Sequence, residues 1–446
     1  MEAVYATPHA GEPGSPFDLP VVLRSSRDLL AAVPYLLGFR PRECCVVVCV
    51  TTEGRIGLVA RTSLTDADGV ARADGPGPDA RTVARAAARA GAAFVLVVLC
   101  TARPEAAVLR HAVDVLAALD EVLDVAADVE TWLMGADGYR GLGCSDPACC
   151  PPGGRPLGEL EHGEVGAAFV VAGRAVAASE QEAHRIVRAP VAVRDRAAKA
   201  AGRAERARPT ALDGEAAGVS TARWRSEAYG VWRDLVRQAA DERRAAVPGG
   251  ETVLPPARLG RLAAALADVS VRDAVLLSLV PGGADVADLT AGGAEDEAAV
   301  EVATARAIAR VVDPRVGVPP DPATADAARL VLEQVVGAAP RRWHAAPLAL
   351  LGFLAWWRGD GWLASRRVRE ALRQDPSHRL AALLAGVLRA AVPPGWVASS
   401  GGRVPSDATG PATGLVTGPA TGLVTGLVTG PATGVVGGPV TGLDVG

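Results

Sequence analysis

The strongest constraint on the fold is an uninterrupted apolar run at residues 44–50, Cys-Cys-Val-Val-Val-Cys-Val. Side chains of a β-strand alternate between its two faces, so a run without polar residues predicts a strand that is covered on both faces. Glu53 and Gly54 form a turn pair after it, and residues 56–64 show the alternation of a return strand. The two segments predict a buried pair at the centre of a sheet.

A capped helix is predicted immediately before this run. Ser25 and Asp28 have the Ser-x-x-Asp spacing in which a side-chain oxygen satisfies free backbone N–H groups at a helix start. Apolar residues then recur with helical spacing over residues 29–37, and Gly38 suits a left-handed helix end. We therefore expect a helix packed against the buried strand that follows it.

A second apolar run, residues 93–100, predicts another strand that is covered on both faces. Residues 122–134 are predicted to form a strand pair, and residues 167–171 one more strand. Helical patterns separate these segments, which predicts a three-layer α/β domain with a mixed sheet. Neither buried strand is followed by a Gly-x-Gly-x-x-Gly turn, and no Walker-type loop is present, which argues against a Rossmann unit and a P-loop.

From Glu180 onward the pattern is helical, which predicts a mainly α-helical C-terminal domain after the α/β domain. The Gly-, Pro- and Thr-rich repeats at the end of the chain cannot build a core. The predicted organisation is a disordered arm (1–16), the α/β domain (17–180), a basic helical connector (181–250), a helical domain (251–398) and a disordered tail (399–446).

A repeat-like helix pair is predicted at residues 346–392. Residues 348–376 follow the tetratricopeptide template, with small residues at Gly352 and Ala364 that let two helices approach closely. Gly386 lies 34 residues after Gly352, one template period, so a further half-repeat is expected. So few repeats cannot bury their own faces, and the pair must dock on the preceding helices. Both a protein-interaction surface and a plain helical subdomain fit this pattern.

Four stretches of the sequence carry a resemblance to a known family. Residues 26–39 read Ser-Arg-Asp-Leu-Leu-Ala-Ala-Val-Pro-Tyr-Leu-Leu-Gly-Phe. They are similar to the opening motif of an actinobacterial family described as domain of unknown function four-one-nine-two. Residues 144–152, 261–277 and 355–394 resemble later parts of it, so the similarity spans roughly residues 19–397. The resemblance implies a family but no activity, cofactor or site residue.

The composition limits the cellular compartment in which we expect the protein and the partners it can bind. Acidic residues exceed basic ones by four, so no overall positive charge draws the chain to nucleic acid. No N-terminal signal pattern is present, and the longest apolar runs are far shorter than the ~20 residues of a membrane span. We expect a cytoplasmic protein with no membrane contact, whose seven cysteines are reduced.

Residues 185–208 carry a strong excess of arginine, which makes them a candidate surface for an acidic partner. No aromatic residue that could stack on a base lies among them. The alternative is a solvated linker helix, and we predict no nucleic-acid binding.

The sharpest chemical candidate is a group of three thiols, Cys144, Cys149 and Cys150. Thiolates favour zinc, although a closed structural site needs four ligands. The spacing matches no known zinc finger, adjacent cysteines are hard to aim at one ion, and His162 is a candidate fourth ligand. A reactive thiol and a packed turn of small apolar cysteines are the alternatives. The other four cysteines fall on buried strands and are predicted to be inert.

A second candidate site is an anion site formed by Arg24, Ser25, Ser26 and Arg61. These residues fall near strand or helix ends, where α/β sheets bind ligands, and a helix start beside an arginine can hold an anion. Helix capping alone also explains both serines.

No recognised catalytic spacing appears among the histidines, serines and carboxylates, so the sequence favours a binding or scaffolding protein over an enzyme. The expected partner is a protein held by the C-terminal helices, or a small ligand. The alternative is an enzyme or metal-binding protein with a site near Arg24, Arg61 and the loop 144–150. The sequence specifies no cofactor, with zinc as the one candidate.

Overall fold

The computed structural model describes residues 22–400, apart from residues 53, 65–77, 124–126, 137, 152, 173, 210–215, 246–252 and 294–296. The predicted arm (1–16) lies outside the described residues. The predicted tail lies outside them as well, except for residues 399 and 400.

The N-terminal part contains a mixed sheet, as the sequence predicts, and this sheet has five strands. Its strands are β1 (Cys44–Thr51), β2 (Ile56–Ser63), β3 (Ala92–Cys100), β4 (Asp128–Met134) and β5 (Tyr139–Gly141), in the order β2-β1-β3-β4-β5. The β1 strand is antiparallel to both neighbours, and β3 is parallel to β4. The two apolar runs therefore lie side by side, with Val47 opposite Val97.

Helices cover both faces of the sheet and complete the predicted three layers. One face packs on α1 (Ser26–Leu37), α4 (Gly158–Glu161) and α5 (Glu164–Val171). The other packs on α2 (Pro78–Arg89) and α3 (Glu105–Asp120). Val46 and Val48 face the first layer, Cys45 and Val47 face the second, and every residue of β1 is buried. The absence of polar residues in the run follows directly from this double burial.

The ends of α1 are those that the sequence predicts. Ser25 is the N-cap, and its Oγ accepts a hydrogen bond from the Asp28 N–H at 3.2 Å. The Asp28 carboxylate in turn accepts from the Arg24 N–H at 2.7 Å, which completes a reciprocal cap. Gly38 ends the helix with φ 76°, a left-handed conformation that glycine adopts without strain.

Two of the predicted strands are wrong. The described part of residues 122–134 forms one strand, β4, instead of a pair, and the hairpin partner of β4 is the later strand β5. Residues 167–171 belong to helix α5, whose Val165 and Phe169, four residues apart, turn inward. Val170 and Val171 are 62% and 89% exposed. A short apolar run does not by itself distinguish a strand from a helix that is buried along one side only.

The rest of the described chain is helical. Its helices are α6 (Glu180–Ala183), α7 (Val191–Arg206), α8 (Ala216–Ala245), α9 (Pro256–Ala265), α10 (Val269–Leu279), α11 (Ala284–Gly292), α12 (Glu297–Val312), α13 (Pro322–Ala338), α14 (Ala345–Trp357), α15 (Gly361–Gln374), α16 (Arg379–Arg389) and α17 (Gly395–Ser400), with a short 3-10 helix at Arg341–Trp343. Helices α7 to α17 share one hydrophobic core.

The basic stretch 185–208 is not a single helix. Residues 184–190 are non-helical, and only α7 is helical within it. Ala197 and Ala201 of α7 are fully buried, and Gly260 of α9 packs directly on the Ala197 backbone. Alanines spaced four residues apart give α7 one smooth packed face. Arg196, Arg203 and Arg206 are exposed on the rest of the helix, whereas Arg194 is half-buried.

The C-terminal helix pair, α14 and α15, packs against the preceding helices. Every residue of α14 is buried, and its neighbours include α13, α15 and α16. A Cβ atom on Gly352 would lie 2.9 Å from Cγ2 of Val368, so the small residue does permit close approach. A Cβ atom on Gly386 would have open space within 4 Å, which shows that this glycine does not play the same packing role.

The close approach at Gly352 gives a stability prediction. We expect Gly352→Leu to lower the free energy of unfolding by about 2–3 kcal/mol, because the new side chain must push α14 away from α15. The matched control is Gly386→Leu, which enters open space in a helix and should change stability by less than about 1 kcal/mol. Chemical denaturation of both variants measures the difference, and equal effects would contradict this packing.

The α/β layers contact the helical part through a cluster of charged and aromatic side chains, here called the junction cluster. The Arg61 guanidinium carbon lies 5.5 Å from the Phe39 ring centre and 5.1 Å from that of Trp362. Arg61 also forms an ion pair with Glu180, which Arg366 of α15 contacts at 3.3 Å. The cluster consists of Phe39, Arg61, Glu180, His184, Trp362 and Arg366.

The histidine of the junction cluster makes stability depend on pH. Burial, together with the charges of Arg367, Arg366 and Arg61, lowers the pKa of His184 to about 4. As the pH decreases, the unfolded chain takes up this proton at about pH 6.5, whereas the folded chain takes it up only near pH 4. The free energy of unfolding should therefore be unaffected by this histidine above about pH 6.5 and should fall as the pH decreases from about 6.5 to about 4.

We expect the His184→Gln variant to lack part of this pH dependence. Between about pH 6.5 and pH 4, the variant should lose less free energy of unfolding than the parent protein, by on the order of 1–2 kcal/mol. The effect is no larger because the ring is partly exposed and solvent screens it. Unfolding titrations at several pH values test this, with His162→Gln, an exposed histidine, as the control. Identical pH profiles for the parent and His184→Gln would contradict the assignment.

Candidate ligand cavity and thiol cluster

A cavity of about 550 Å³ opens at the edge of the sheet where the parallel strands β3 and β4 end. Thr101 and Ala102 follow β3, and Gly135 and Ala136 follow β4, so both strands contribute their carboxyl ends to its floor. The side of α1 forms one wall. This is the edge at which open α/β sheets bind ligands, because the loops there diverge and leave a crevice.

Glu43 occupies the part of this edge that lies near the start of α3. Its carboxylate accepts hydrogen bonds from the Thr101 hydroxyl (2.9 Å), the Ala102 N–H (3.0 Å) and Arg103 Nε (2.9 Å). Burial opposes ionisation, but the hydrogen bonds from Ala102 and Thr101 and the charge of Arg103 outweigh it and lower the pKa of Glu43. The backbone of Glu43 has φ 49°, an unfavourable conformation that these contacts hold in place.

The remaining lining is mainly apolar, with a charged rim. Arg40 pairs with Glu161 across the opening. Within the described part of the chain, no ion pair or hydrogen bond engages the Arg42 guanidinium, which is exposed at the same rim. The apolar lining includes Leu30, Pro34, Tyr35, Met134, Leu157 and Leu160. The cavity therefore combines an apolar interior with one uncompensated positive charge.

The three loop cysteines converge, contrary to the expectation that adjacent cysteines are hard to aim at one ion. The sulfur atoms of Cys144, Cys149 and Cys150 all lie within 4.8 Å of one another, and we call them the thiol cluster. The two adjacent sulfurs are 3.9 Å apart. A turn in which the Asp146 carbonyl accepts from the N–H groups of Cys149 and Cys150 brings them together.

The surroundings of the thiol cluster differ between its members. The Gly141 N–H donates to Cys150 Sγ at 3.3 Å, and Arg27 lies 3.8 Å from Cys149 Sγ. A hydrogen bond from the Asp146 backbone lowers the pKa of Cys144, whereas burial raises that of Cys150. The exposed Cys144 therefore ionises more readily than its half-buried neighbour.

His162, the candidate fourth ligand, does not join the thiol cluster. Its Nδ1 lies 3.0 Å from the Gly158 carbonyl oxygen in its own helical turn. Among the described residues, the three thiols are the group that is placed to share one metal ion.

The structure does not bring the four residues of the predicted anion site together. Ser25 caps α1, and the Arg24 backbone bonds to Asp28 at the same end. Arg61 belongs to the junction cluster, beside Phe39 at the other end of the helix. The two ends are about 18 Å apart, the length of a 12-residue helix. Ser26 is the first residue of α1.

Sequence reasoning missed the residues that do line the two sites. Arg27 lies one residue after the predicted anion site but contacts the thiol cluster. Glu43 and Arg42 precede the apolar run and look like ordinary charges at a strand start. Thr101 and Ala102 directly follow the second apolar run, and a search of strand ends would have included them.

The four cysteines predicted to be inert are buried in β1 and β3. Burial raises the pKa of Cys45 and Cys49 to about 12. The Cys100 thiol lies opposite Cys44 and, by hydrogen bonding, lowers the pKa of Cys44 to about 7, to which the charge of Arg61 also contributes. Cys44 is fully buried, so reagents in solution have no direct access to it.

The part of the chain that the structure describes contains no helix with the length and apolar character that a bilayer crossing requires. No curated protein and no solved structure matches the sequence. The model of a family described as domain of unknown function (DUF4192) matches residues 27–395, which include the sheet, the cavity, the thiol cluster and most of the helical core. The chain therefore belongs to the DUF4192 family.

Proposed function

We propose that this protein is a cytoplasmic binding protein for a small organic anion, which occupies the cavity at the carboxyl ends of β3 and β4. The observation that carries the proposal is an apolar cavity with one unpaired arginine, Arg42, at its rim. Its volume of about 550 Å³ is typical of small-molecule sites, which are mostly apolar with a few polar groups that fix orientation.

The charges around the cavity narrow the ligand class. The rim pairs Arg40 with Glu161, and Glu43 with Arg103. Only Arg42 remains uncompensated among the charged groups described there, so one anionic group on the ligand balances the site. Glu43 already occupies the Ala102 N–H and the Thr101 hydroxyl in the loop before α3, two donors that a phosphate would otherwise use. A carboxylate attached to an apolar body fits this arrangement better than a nucleotide or a diphosphate.

Small-ligand binding in the cavity is better supported than a protein-docking role for the C-terminal helices. The side of α14 that a free repeat would expose is packed in the helical core. The cavity, by contrast, is open to solvent at a charged rim, and its polar groups are placed to orient a ligand.

A cavity-filling variant tests the proposal. We expect full-length parent protein to hold a carboxylate ligand, either co-purified and seen by native mass spectrometry or found as a rise in Tm in a panel of apolar carboxylates. Ala102→Trp places an indole at the exposed rim and should abolish binding. Ala167→Trp, at an exposed position on α5 outside the cavity lining, is the control and should bind normally.

Removing the unpaired charge tests the ligand class separately. Arg42→Ala should weaken binding about ten- to hundredfold, because a charge-assisted hydrogen bond contributes about 1.5–3 kcal/mol. Arg258→Ala removes an exposed arginine of α9 and should change nothing. Unchanged affinity in Ala102→Trp, or a panel in which no compound binds the parent protein, would overturn the proposed function.

A further inference from the structure

We propose that Cys144, Cys149 and Cys150 form a three-thiolate site for a zinc ion whose fourth coordination position is open to solvent. The thiol cluster lies on the loop after β5 and is distinct from the residues that line the ligand cavity. The two sites share only the helix α1, so one proposal can fail while the other holds.

The spacing of the sulfur atoms matches the geometry of zinc. Zinc–thiolate bonds are about 2.3 Å long and tetrahedral, which places bound sulfurs about 3.8 Å apart. The sulfurs of Cys149 and Cys150 are 3.9 Å apart, and that of Cys144 is within 4.8 Å of both. A small rotation of the exposed Cys144 side chain completes a trigonal set of donors.

The loop is held in shape by the protein rather than by the metal. Tyr139 and Arg155 exchange two backbone hydrogen bonds of 2.8 Å, which close the loop at its base. Gly154 has φ 83°, and a Cβ there would lie 3.0 Å from the Tyr139 carbonyl oxygen, so glycine permits this contact. Within the loop, Asp146 Oδ1 accepts from the Ala148 N–H at 2.9 Å. The thiols are therefore positioned before any ion binds, which reduces the entropy cost of binding.

The groups that contact the sulfur atoms suit three negatively charged thiolates. Three thiolates and one divalent ion leave a net charge of −1, and Arg27 lies 3.8 Å from Cys149 Sγ to balance it. The Gly141 N–H donates to Cys150 Sγ at 3.3 Å, the kind of contact that orients metal-bound sulfur. Soft thiolate donors select zinc over magnesium or calcium, which prefer oxygen.

Exposure sets the character of the site. Cys144 is exposed and the other two cysteines are half-buried, so the ion can enter from solvent. Among the described residues, no fourth side-chain ligand shares the cluster. Water or an external ligand would take the fourth position, as at exchangeable zinc sites and unlike closed structural ones.

The test is metal analysis of the full-length protein purified under reducing conditions. We expect one zinc per chain by elemental analysis and native mass spectrometry. Replacing zinc with cobalt should give a thiolate-to-cobalt charge-transfer band together with the visible bands of tetrahedral cobalt. Cys144→Ser should weaken zinc binding at least tenfold, and Arg27→Gln about tenfold, since changes in outer contacts typically cost ten- to hundredfold.

The control is Cys49→Ala, which removes a thiol from the buried strand β1 and should keep one zinc per chain. Circular dichroism establishes whether each variant folds. If Cys144→Ser does not fold, the cobalt spectrum of the parent protein tests thiolate coordination on its own. Two results would overturn the proposal. These are a reduced parent protein that binds neither zinc nor cobalt, or a triple serine variant that still binds one zinc.

Discussion

The antiparallel pairing of β1 with β3, buried on both faces, is the interaction on which the rest of the structure depends. Val47 lies opposite Val97, and the flanking residues of both strands face either the α1 layer or the α2–α3 layer. A fully buried valine contributes about 1.5–3 kcal/mol, so this pair supplies a large share of the driving force of the domain. Because both strands are central, β2 and β5 become the edges and β4 the parallel neighbour. This order places the carboxyl ends of β3 and β4 side by side at the cavity, and it puts the thiol loop directly after the edge strand β5.

Helix α1 connects the sheet to everything that carries a proposed function. Its buried face packs on β1 and β3, whereas Leu30, Pro34 and Tyr35 form a wall of the cavity. Arg27, one turn nearer the N-terminus, contacts the thiol cluster. Phe39, just past the C-terminus, reaches the junction cluster. A single capped helix therefore sets the relative positions of three groups of residues that are distant in sequence.

Sequence periodicity predicted the sheet because both faces of its central strands are buried, and such strands leave a long apolar run. It failed for Phe169 and its neighbours, since a five-residue apolar segment fits a half-buried helix equally well. The sequence also suggested that adjacent cysteines are hard to aim at one ion. Their sulfur atoms nevertheless converge, because side-chain direction in a loop depends on turns such as that at Asp146. Arg61 was placed correctly on β2, yet its partners, Glu180 and Trp362, are distant in sequence. Contacts of that kind leave no local pattern.

The most direct test of this account is hydrogen–deuterium exchange, resolved to single peptides of the native protein. Amides in residues 44–50 and 94–100 should exchange most slowly, through global unfolding, because each strand is bonded on both sides and buried on both faces. Amides of the edge strand β2 that do not pair with β1 should exchange faster. If residues 44–50 or 94–100 exchange as rapidly as the exposed edge of β2, the central pair is not the core of this domain and the arrangement of the cavity around it is wrong.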